Sequence, residues 1–344
     1  MAKTVVILGA GASAAAGAPL MFDFLDAAER IQRNKMTGVF GDDFDRVFKG
    51  LYELERVLSK AVVDINNLEA VFGAFEMAKL CGKLGELAKA DIDLLTESLK
   101  KVILRTVELT VQHRGQRVGL RPPDGYLELS DLLQKKLRHD IVFLTFNYDL
   151  GLDHALYEVA HEDPYYGFGE RSDSSVTLLK LHGSIHWYKQ EQNGLRAIPM
   201  RDLLAHPWVE TSHQNASNSN VIVSQKLENL GNRVPFIVPP TWKKGDHYSE
   251  IAEVWKLAAT HLEHAENIYV CGFSLPHTDQ YFRYLYALGT AGQTRIKRFV
   301  VSDPSSEVAL RFRQLLGPTA LVRFEQSNNK FAEFVIWLRK NFPD

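Results

Sequence analysis

The stretch that most constrains this chain is Thr4–Pro19, TVVILGAGASAAAGAP. Thr4–Leu8 is an unbroken apolar or β-branched run, bounded sharply by glycine, as a fully buried strand is. Gly9, Ala10, Gly11, Ala12 and Ser13 follow directly, and then small residues suited to a tightly packed helix start. A strand that breaks through glycine into a helix gathers backbone N–H groups around one point. The positive end of the helix dipole faces the same point, where a phosphate can sit. The dinucleotide fingerprint G-x-G-x-x-G is met at Gly9 and Gly11, but its third place is Ala14, and Gly17 comes later. Glycine after a buried strand also has a purely geometric use, so this stretch fixes an α/β beginning and leaves the ligand open.

Later runs repeat the arrangement. Asp140–Asp149 (DIVFLTFNYD), Ser175–Trp187 (SVTLLKLHGSIHW), Asn267–Cys271 and Arg298–Val301 are expected strands, the last of these being the final clear one. They end in Asn147-Tyr148-Asp149, His182-Gly183-Ser184, Gly272-Phe273-Ser274-Leu275-Pro276 and Ser302-Asp303-Pro304. In open α/β sheets ligands bind beyond the carboxyl ends of the strands, so these turns are where a site is expected. Helices are expected over Met21–Arg33, from the RPPDG turn at Arg121–Gly125 to Leu137, and over Leu152–Ala160, Ile251–His264 and Asp279–Leu288. Two amphipathic helices should close the chain. Pro235–Trp242 begins as a short strand that its prolines must end or hold at an edge.

From Asp42 to about His113 the apolar spacing stays helical, with no good strand candidate. The expected organisation is a Rossmann-like parallel sheet flanked by helices, formed by residues 1–40 and 121–344, with 41–120 as a helical insertion. Gln190–Asn220, rich in Asn, Gln, Ser and His, is expected to be loops acting as a mobile lid.

Several chemistries are thinly represented. Lys and Arg number 40 against 42 Asp and Glu, a net charge of −2, which argues against a general nucleic-acid or membrane-surface binder. The two cysteines, Cys81 and Cys271, make neither a disulfide framework nor a four-cysteine zinc site. No signal peptide or bilayer-length apolar run is visible, so a cytoplasmic location is expected. There is no G-x-S-x-G elbow and no P-loop lysine motif, and His182 and His186 lack the intervening Glu of H-E-x-x-H. No metal is expected. Each strand-end residue also has a structural use: Asn147 in an Asx-turn, Asp149 and Asp153 as helix N-terminal charges, Asp303 as a helix cap or a ribose-binding acid. Their joint appearance at successive strand ends favours a site.

Together these residues resemble the sirtuin-like NAD-binding family. GAGAS-AAA-GAP matches the family's opening strand, GAGIS, three residues and GIP; Asn147-Tyr148-Asp149 matches its Asn-x-Asp, and His182-Gly183 its catalytic His-Gly. Gly272-Phe273-Ser274-Leu275 looks like the GTSL turn, and Ser302-Asp303 falls near the family's ribose-contacting residue. With LTFNYD, LHGS and PPTW, the pattern is most similar to the bacterial sirtuin-like NAD hydrolases of anti-phage defence. It departs from the deacylases in several places. Leu20-Met21-Phe22 replaces Asp-Phe-Arg, Phe146 replaces the Gln before Asn, the zinc ribbon's cysteines are absent, and IVPPTW stands where the acyl-lysine strand would be.

The resemblance implies NAD+ as a substrate, cleaved to nicotinamide and ADP-ribose. Asn147 and His182 would be catalytic. Gly9, Ala10, Gly11, Ser13 and Pro19 would hold the pyrophosphate side, Asp149 the carboxamide, and Gly272, Ser274 and Asp303 the adenosine side. It also implies control through a homo-oligomer or a separately encoded activator such as an ATPase or a short Argonaute. A non-catalytic NAD or ADP-ribose sensor is the alternative, and a protein deacylase ranks third.

Overall fold

Thr4–Leu8 forms β1, buried along its whole length. The protein is described from a computed structural model covering residues 3–57, 63–115, 120–135, 140–190, 194–204, 209–210, 220–223, 234–238, 245–276 and 279–341. Five more strands join β1 in one parallel sheet: β2 (Ile141–Thr145), β3 (Thr177–Lys180), β4 (Asn267–Cys271), β5 (Arg298–Ser302) and β6 (Phe324–Ser327). Their spatial order is β6-β5-β4-β1-β2-β3, the doubly wound order in which the chain reverses direction across β1. Register brings the strand ends level: Leu8 pairs with Thr145 on one side and Cys271 on the other, Thr145 with Lys180, and Cys271 with Ser302. Every turn after a strand therefore emerges at one edge.

β6 is a sixth strand where Arg298–Val301 was expected to be the last. Its FEQS sequence has no apolar run, because it is an edge strand bonded only to β5 and half open to water. The first apolar strand continues not into a long helix but into a single turn, α1 (Ala10–Ser13), and a 3-10 turn over Ala14–Ala16 that ends at Gly17 with φ of 93°. A Cβ on Gly17 would lie 2.4 Å from the carbonyl oxygen of Thr110, so this glycine permits close packing rather than supplying the fingerprint's third place.

The next helices are α2 (Phe24–Arg33), α3 (Gly41–Val57), α4 (Leu68–Cys81) and α5 (Lys89–Thr110). Asn67 caps α4 by accepting from the backbone N–H of Glu69 at 2.9 Å, and Gly82 closes it in the left-handed conformation. Phe44, Val47, Phe72, Phe75, Leu95 and Leu99 meet in a core of their own, which also takes in Phe24, Ala28 and Ile31 of α2. The helical run ends in a strand, Gln112–Gly115, which pairs antiparallel with Leu120–Arg121 and with Asn220–Val223 in a four-stranded sheet.

On the main sheet lie α6 (Tyr126–Lys135) and α7 (Gly151–Ala160). The expected long strand Ser175–Trp187 is β3 followed by a turn, and Trp187–Gln190 pairs instead with Gly194–Ala197 in a hairpin. A short helix, α8 (Met200–Leu204), comes next, and the rest of the expected 190–220 loop lies mostly outside the described residues, as do Pro239–Trp242. α9 (Gly245–His264), α10 (Gln280–Gly289), α11 (Ser306–Leu315), α12 (Pro318–Leu321) and α13 (Phe331–Asn341) complete the chain. Among the described residues no helix is long and apolar enough to cross a membrane.

Candidate active site

The turns after β1, β2, β3 and β4 converge on one cavity of about 200 Å³ at the carboxyl edge of the sheet. It lies where β1 has β4 on one side and β2 on the other, the point at which the strand order reverses. Ligands of open α/β sheets bind at such a point. Ala10, Ser13, Pro19, Asn147, Asp149, His182, Gly272 and Ser274 all line it. Gly9, Gly11 and Asp303 do not.

Gly9 and Gly11 are committed to packing. The Gly9 N–H donates to the carbonyl of Cys271 at 3.1 Å and the Gly11 N–H to that of Gly272 at 2.9 Å. A Cβ on Gly9 would lie 2.5 Å from the Gly272 oxygen, and one on Gly11 2.8 Å from the Gly272 Cα. Gly272 has a φ of 66°, and its own Cβ would meet the Ala12 nitrogen at 2.3 Å. The glycines thus let the turns after β1 and β4 touch backbone to backbone. Asp303 sits one turn away, accepting from the Ser305 N–H at 2.8 Å. Partial burial raises its pKa, opposed by that bond and by Arg311. Arg311 in turn donates to the carbonyl of Ser274 at 2.8 Å, a cation beside the cleft mouth that no sequence motif marked.

Ser13 joins three segments. Its hydroxyl donates to Asp149 Oδ2 at 2.7 Å, accepts from Asn147 Nδ2 at 3.0 Å, and lies 2.7 Å from the Tyr126 hydroxyl. A hydroxyl has one proton and two lone pairs, so with Asp149 ionised Tyr126 is the donor and Ser13 is fully used. Asn147 also donates to the carbonyl of Gly9 at 2.9 Å. Its amide therefore bonds back to the first turn instead of forming an Asx-turn. That capping geometry belongs to Asp149, whose Oδ1 accepts from the Gly151 N–H at 2.8 Å at the start of α7. Burial raises the Asp149 pKa, opposed by Lys180, Ser13 and the Gly151 N–H.

Behind these residues is a buried polar network. Lys180 Nζ donates to the carbonyl of Asp149 at 2.5 Å and to Asp153 Oδ2 at 2.7 Å. Asp153 Oδ1 accepts from the Tyr166 hydroxyl at 2.9 Å, so Tyr166 accepts from His186 Nε2 at 3.2 Å. His186 Nδ1 lies 2.9 Å from the Ser184 hydroxyl. Burial, aided by Lys180, holds the His186 pKa well below that of a free histidine, giving a neutral ring with its proton on Nε2. Asp153 is thus both an acid in the first turn of α7, as expected, and the buried partner of Lys180.

His182 is 6% exposed, with its ring edge against Phe146 at a centroid distance of 5.1 Å. Phe146 stacks on Phe273 at 4.1 Å, which makes an apolar floor beside the imidazole. Gly183, at φ of 79°, lets the chain turn where a Cβ would lie 2.1 Å from the carbonyl of Phe236. The opposite wall comes from the helical region: Asn67, Leu68 and Glu69 at the start of α4, with Met21 and Phe24. Asn67-Leu68-Glu69 carries a visible helix-start signal, but nothing local shows that this start faces a cleft. Phe273, Tyr148 and Asp279 are further lining residues that the motifs did not single out. Among the described residues no group of three or more His, Cys, Asp or Glu is arranged to hold a metal ion.

Neither family models nor curated proteins match this chain. Solved structures similar to it are Sir2 homologues. A Sir2 homologue in complex with NAD is 14% identical, aligned over 98% of this chain and 88% of that one, with a TM-score of 0.43. A variant Sir2 homologue bound to ADP-ribose is 14% identical over 98% and 90%, with a TM-score of 0.42. Sir2 bound to an inhibitor, 2′-O-acetyl-ADP-ribose and a deacetylated p53 peptide is 15% identical over 98% and 92%, with a TM-score of 0.40. Likeness at this level assigns no activity, and the doubly wound sheet stands on its own strand order and register.

Proposed function

We propose that this protein binds NAD+ in the switch-point cleft and hydrolyses its nicotinamide–ribose bond: NAD+ and water give nicotinamide, ADP-ribose and a proton. The observation that carries this reading is the convergence of Asn147 and His182, from two successive strand ends, on a cleft where a doubly wound sheet receives nucleotides. Nicotinamide leaves as a neutral molecule, so the protein has chiefly to hold the dinucleotide and stabilise a cationic, oxocarbenium-like ribose. Asn147, oriented by its bonds to Gly9 and Ser13, would position the ribose and the attacking water. His182 would contact the ribose hydroxyls and accept the proton released. The flat apolar surface of Phe146 and Phe273 suits the departing ring. Asp149 would face the carboxamide.

Among the described residues lining the cleft none is Lys or Arg. The diphosphate would therefore rest on main-chain groups near Ala10 and on Ser274, with Arg311 beside that turn and Pro19 at the mouth. Control by self-association or by an activator such as an ATPase or a short Argonaute, in a role depleting NAD+ during anti-phage defence, is supported by the sequence resemblance. The assignment of residues 41–120 as an inserted unit is supported by their helical apolar spacing. A non-catalytic NAD or ADP-ribose sensor is favoured by one feature: both amide hydrogens of Asn147 are already engaged.

Incubating the purified chain with NAD+ and identifying the products tests the proposal. Nicotinamide and ADP-ribose should appear with the native chain and fall at least about 100-fold with His182→Ala. Equal turnover by both proteins overturns the assignment, and tight NAD+ binding with no turnover, alone or with an activator, decides for the sensor.

A further inference from the structure

Asn147 and His182 sit on turns that leave neighbouring strands, just past the point where strand pairing ends. The Leu181 N–H still donates to the Thr145 carbonyl at 2.9 Å, and both residues lie beyond that bond. From there the two turns meet at the main chain of Tyr148 and Asp149. The Tyr148 carbonyl accepts from the Ile185 N–H at 3.2 Å and faces the Ser184 hydroxyl at 3.1 Å. The Asp149 carbonyl accepts from Lys180 Nζ at 2.5 Å. Both carbonyls are therefore held from the β3 side, by residues immediately before and after the His182 turn.

The side chains that hold them continue into one another. Lys180 bonds to Asp153 at 2.7 Å, Asp153 to Tyr166 at 2.9 Å, Tyr166 to His186 at 3.2 Å, and His186 to Ser184 at 2.9 Å. The series starts at the Asp149 carbonyl and returns, at Ser184, to the Tyr148 carbonyl. All of these side chains are buried, and none of them lines the cleft. Whatever they contribute to chemistry passes through the two turns.

Stability alone gives this arrangement little reason to be ionic. Taking an ammonium and a carboxylate out of water costs about as much as their attraction returns, and well-packed apolar residues of similar volume are often as stable or more so. An apolar pair, however, cannot hold a carbonyl in one direction, whereas Lys180, itself anchored on Asp153, does so for Asp149.

We infer that Lys180 and Asp153 are positioning residues for the glycosidic cleavage: through the Asp149 carbonyl they set the turn of Asn147 against the turn of His182. The inference rests on the hydrolase reading above, in which both residues act on one ribose, and adds the pair that fixes their spacing. Groups acting on one ribose from separate turns need that spacing held closely, and a misplacement of about 1 Å costs about 100-fold in rate. Binding of the diphosphate and adenosine side rests on the turns after β1 and β4, to which Lys180 and Asp153 make no hydrogen bond.

The test is the double variant Lys180→Met, Asp153→Val, which keeps close to the volume of the pair and removes both charges. Loss of the carboxylate does not orphan the rest of the series. Moving the His186 proton from Nε2 to Nδ1 lets Tyr166 donate to Nε2, Nδ1 to Ser184, and Ser184 to the Tyr148 carbonyl. The variant should melt close to the native chain and bind ADP-ribose within about twofold of it, while kcat for NAD+ falls about 30- to 100-fold and KM stays within about threefold. Native kcat in the folded variant overturns the inference, because the pair then only fills the core. A loss of ADP-ribose binding that matches the loss of kcat also overturns it, by showing a general disturbance of the cleft. If the double variant does not fold, Ser184→Ala decides from the other end of the series. It should lower kcat at least about fivefold at unchanged ADP-ribose affinity, and native kcat there overturns the inference. A native chain that binds ADP-ribose but leaves NAD+ intact, alone or with an activator, overturns the hydrolase reading and this inference together. Native turnover with unaffected variants overturns the inference alone.

Discussion

Replacing Ser13 with alanine should destabilise the protein far more than loss of one hydroxyl at a surface would. Ser13 is 1% exposed and takes part in three hydrogen bonds, with Asp149, Asn147 and Tyr126. Removing it leaves the buried Tyr126 hydroxyl without its acceptor, at about 1–3 kcal/mol, and takes a charge-assisted bond worth about 1.5–3 kcal/mol from Asp149. Asn147 keeps its bond to Gly9 and contributes little. The expected loss is therefore about 3–5 kcal/mol, measured by urea denaturation with unchanged m-value. The more specific prediction concerns the pair Ser13→Ala and Tyr126→Phe. Alone, Tyr126→Phe removes one hydrogen bond and should cost about 1 kcal/mol. In the Ser13→Ala background it removes an orphaned hydroxyl and should restore stability by about 1–2 kcal/mol, a coupling of about 2–3 kcal/mol. A Ser13→Ala loss below about 1 kcal/mol, or strictly additive effects of the two changes, would refute the shared-hydroxyl argument.

Two other outcomes follow from the same structure. His113 and His154 are buried with their Nδ1 atoms 2.9 Å apart, and burial lowers the His113 pKa to about 4. The unfolded chain takes up its proton near pH 6.5 while the folded one refuses it, so stability should fall with pH between about 6.5 and 4, by up to about 3 kcal/mol from His113; a flat stability profile in denaturation across this window would contradict that. Gly272→Ala should cost about 2–4 kcal/mol, from its left-handed backbone and from a Cβ placed 2.3 Å from the Ala12 nitrogen, and should weaken ADP-ribose binding because it separates the turns after β1 and β4; native-like melting and binding would show that these turns need not touch.

Much of the frame was legible because buried parallel strands read as short, nearly continuous apolar runs. Thr4–Leu8, Ile141–Thr145 and Asn267–Cys271 are such runs, and each ends in the turn that the sequence assigned to it. Phe324–Ser327 was not legible, since an edge strand half in water needs no apolar run. The positions lining the cleft were legible in part. Asn147 and His182 follow strand ends, which parallel register forces to one edge, so local sequence predicts their meeting. Gly9 and Gly11 carry the same local signal as phosphate-binding glycines, yet their partner is Gly272, more than 250 residues away, and only the folded chain shows it. Glu69 was illegible for the same reason: its helix start is local, but what that start faces depends on how the helical core docks against the sheet.

The two walls of the cleft are therefore held by different means. The floor is one cross-linked body: Ser13, Asn147, Asp149 and Tyr126 share hydrogen bonds, the turns after β1 and β4 touch through glycine, and Lys180 ties the Asp149 carbonyl to a buried polar network. Bonds that satisfy one another in this way cannot be loosened one at a time without orphaning a buried group. The facing wall is joined by apolar packing: the helical core takes in Ile185 and Ile237, and Tyr148 and Leu150 lie against it. Asn67 and Glu69 begin α4, whose packing is with α5 and the helical core. The two walls therefore answer to different substitutions: the floor to loss of a hydrogen bond, the facing wall to loss of apolar volume in the core that carries Leu68 and Val107.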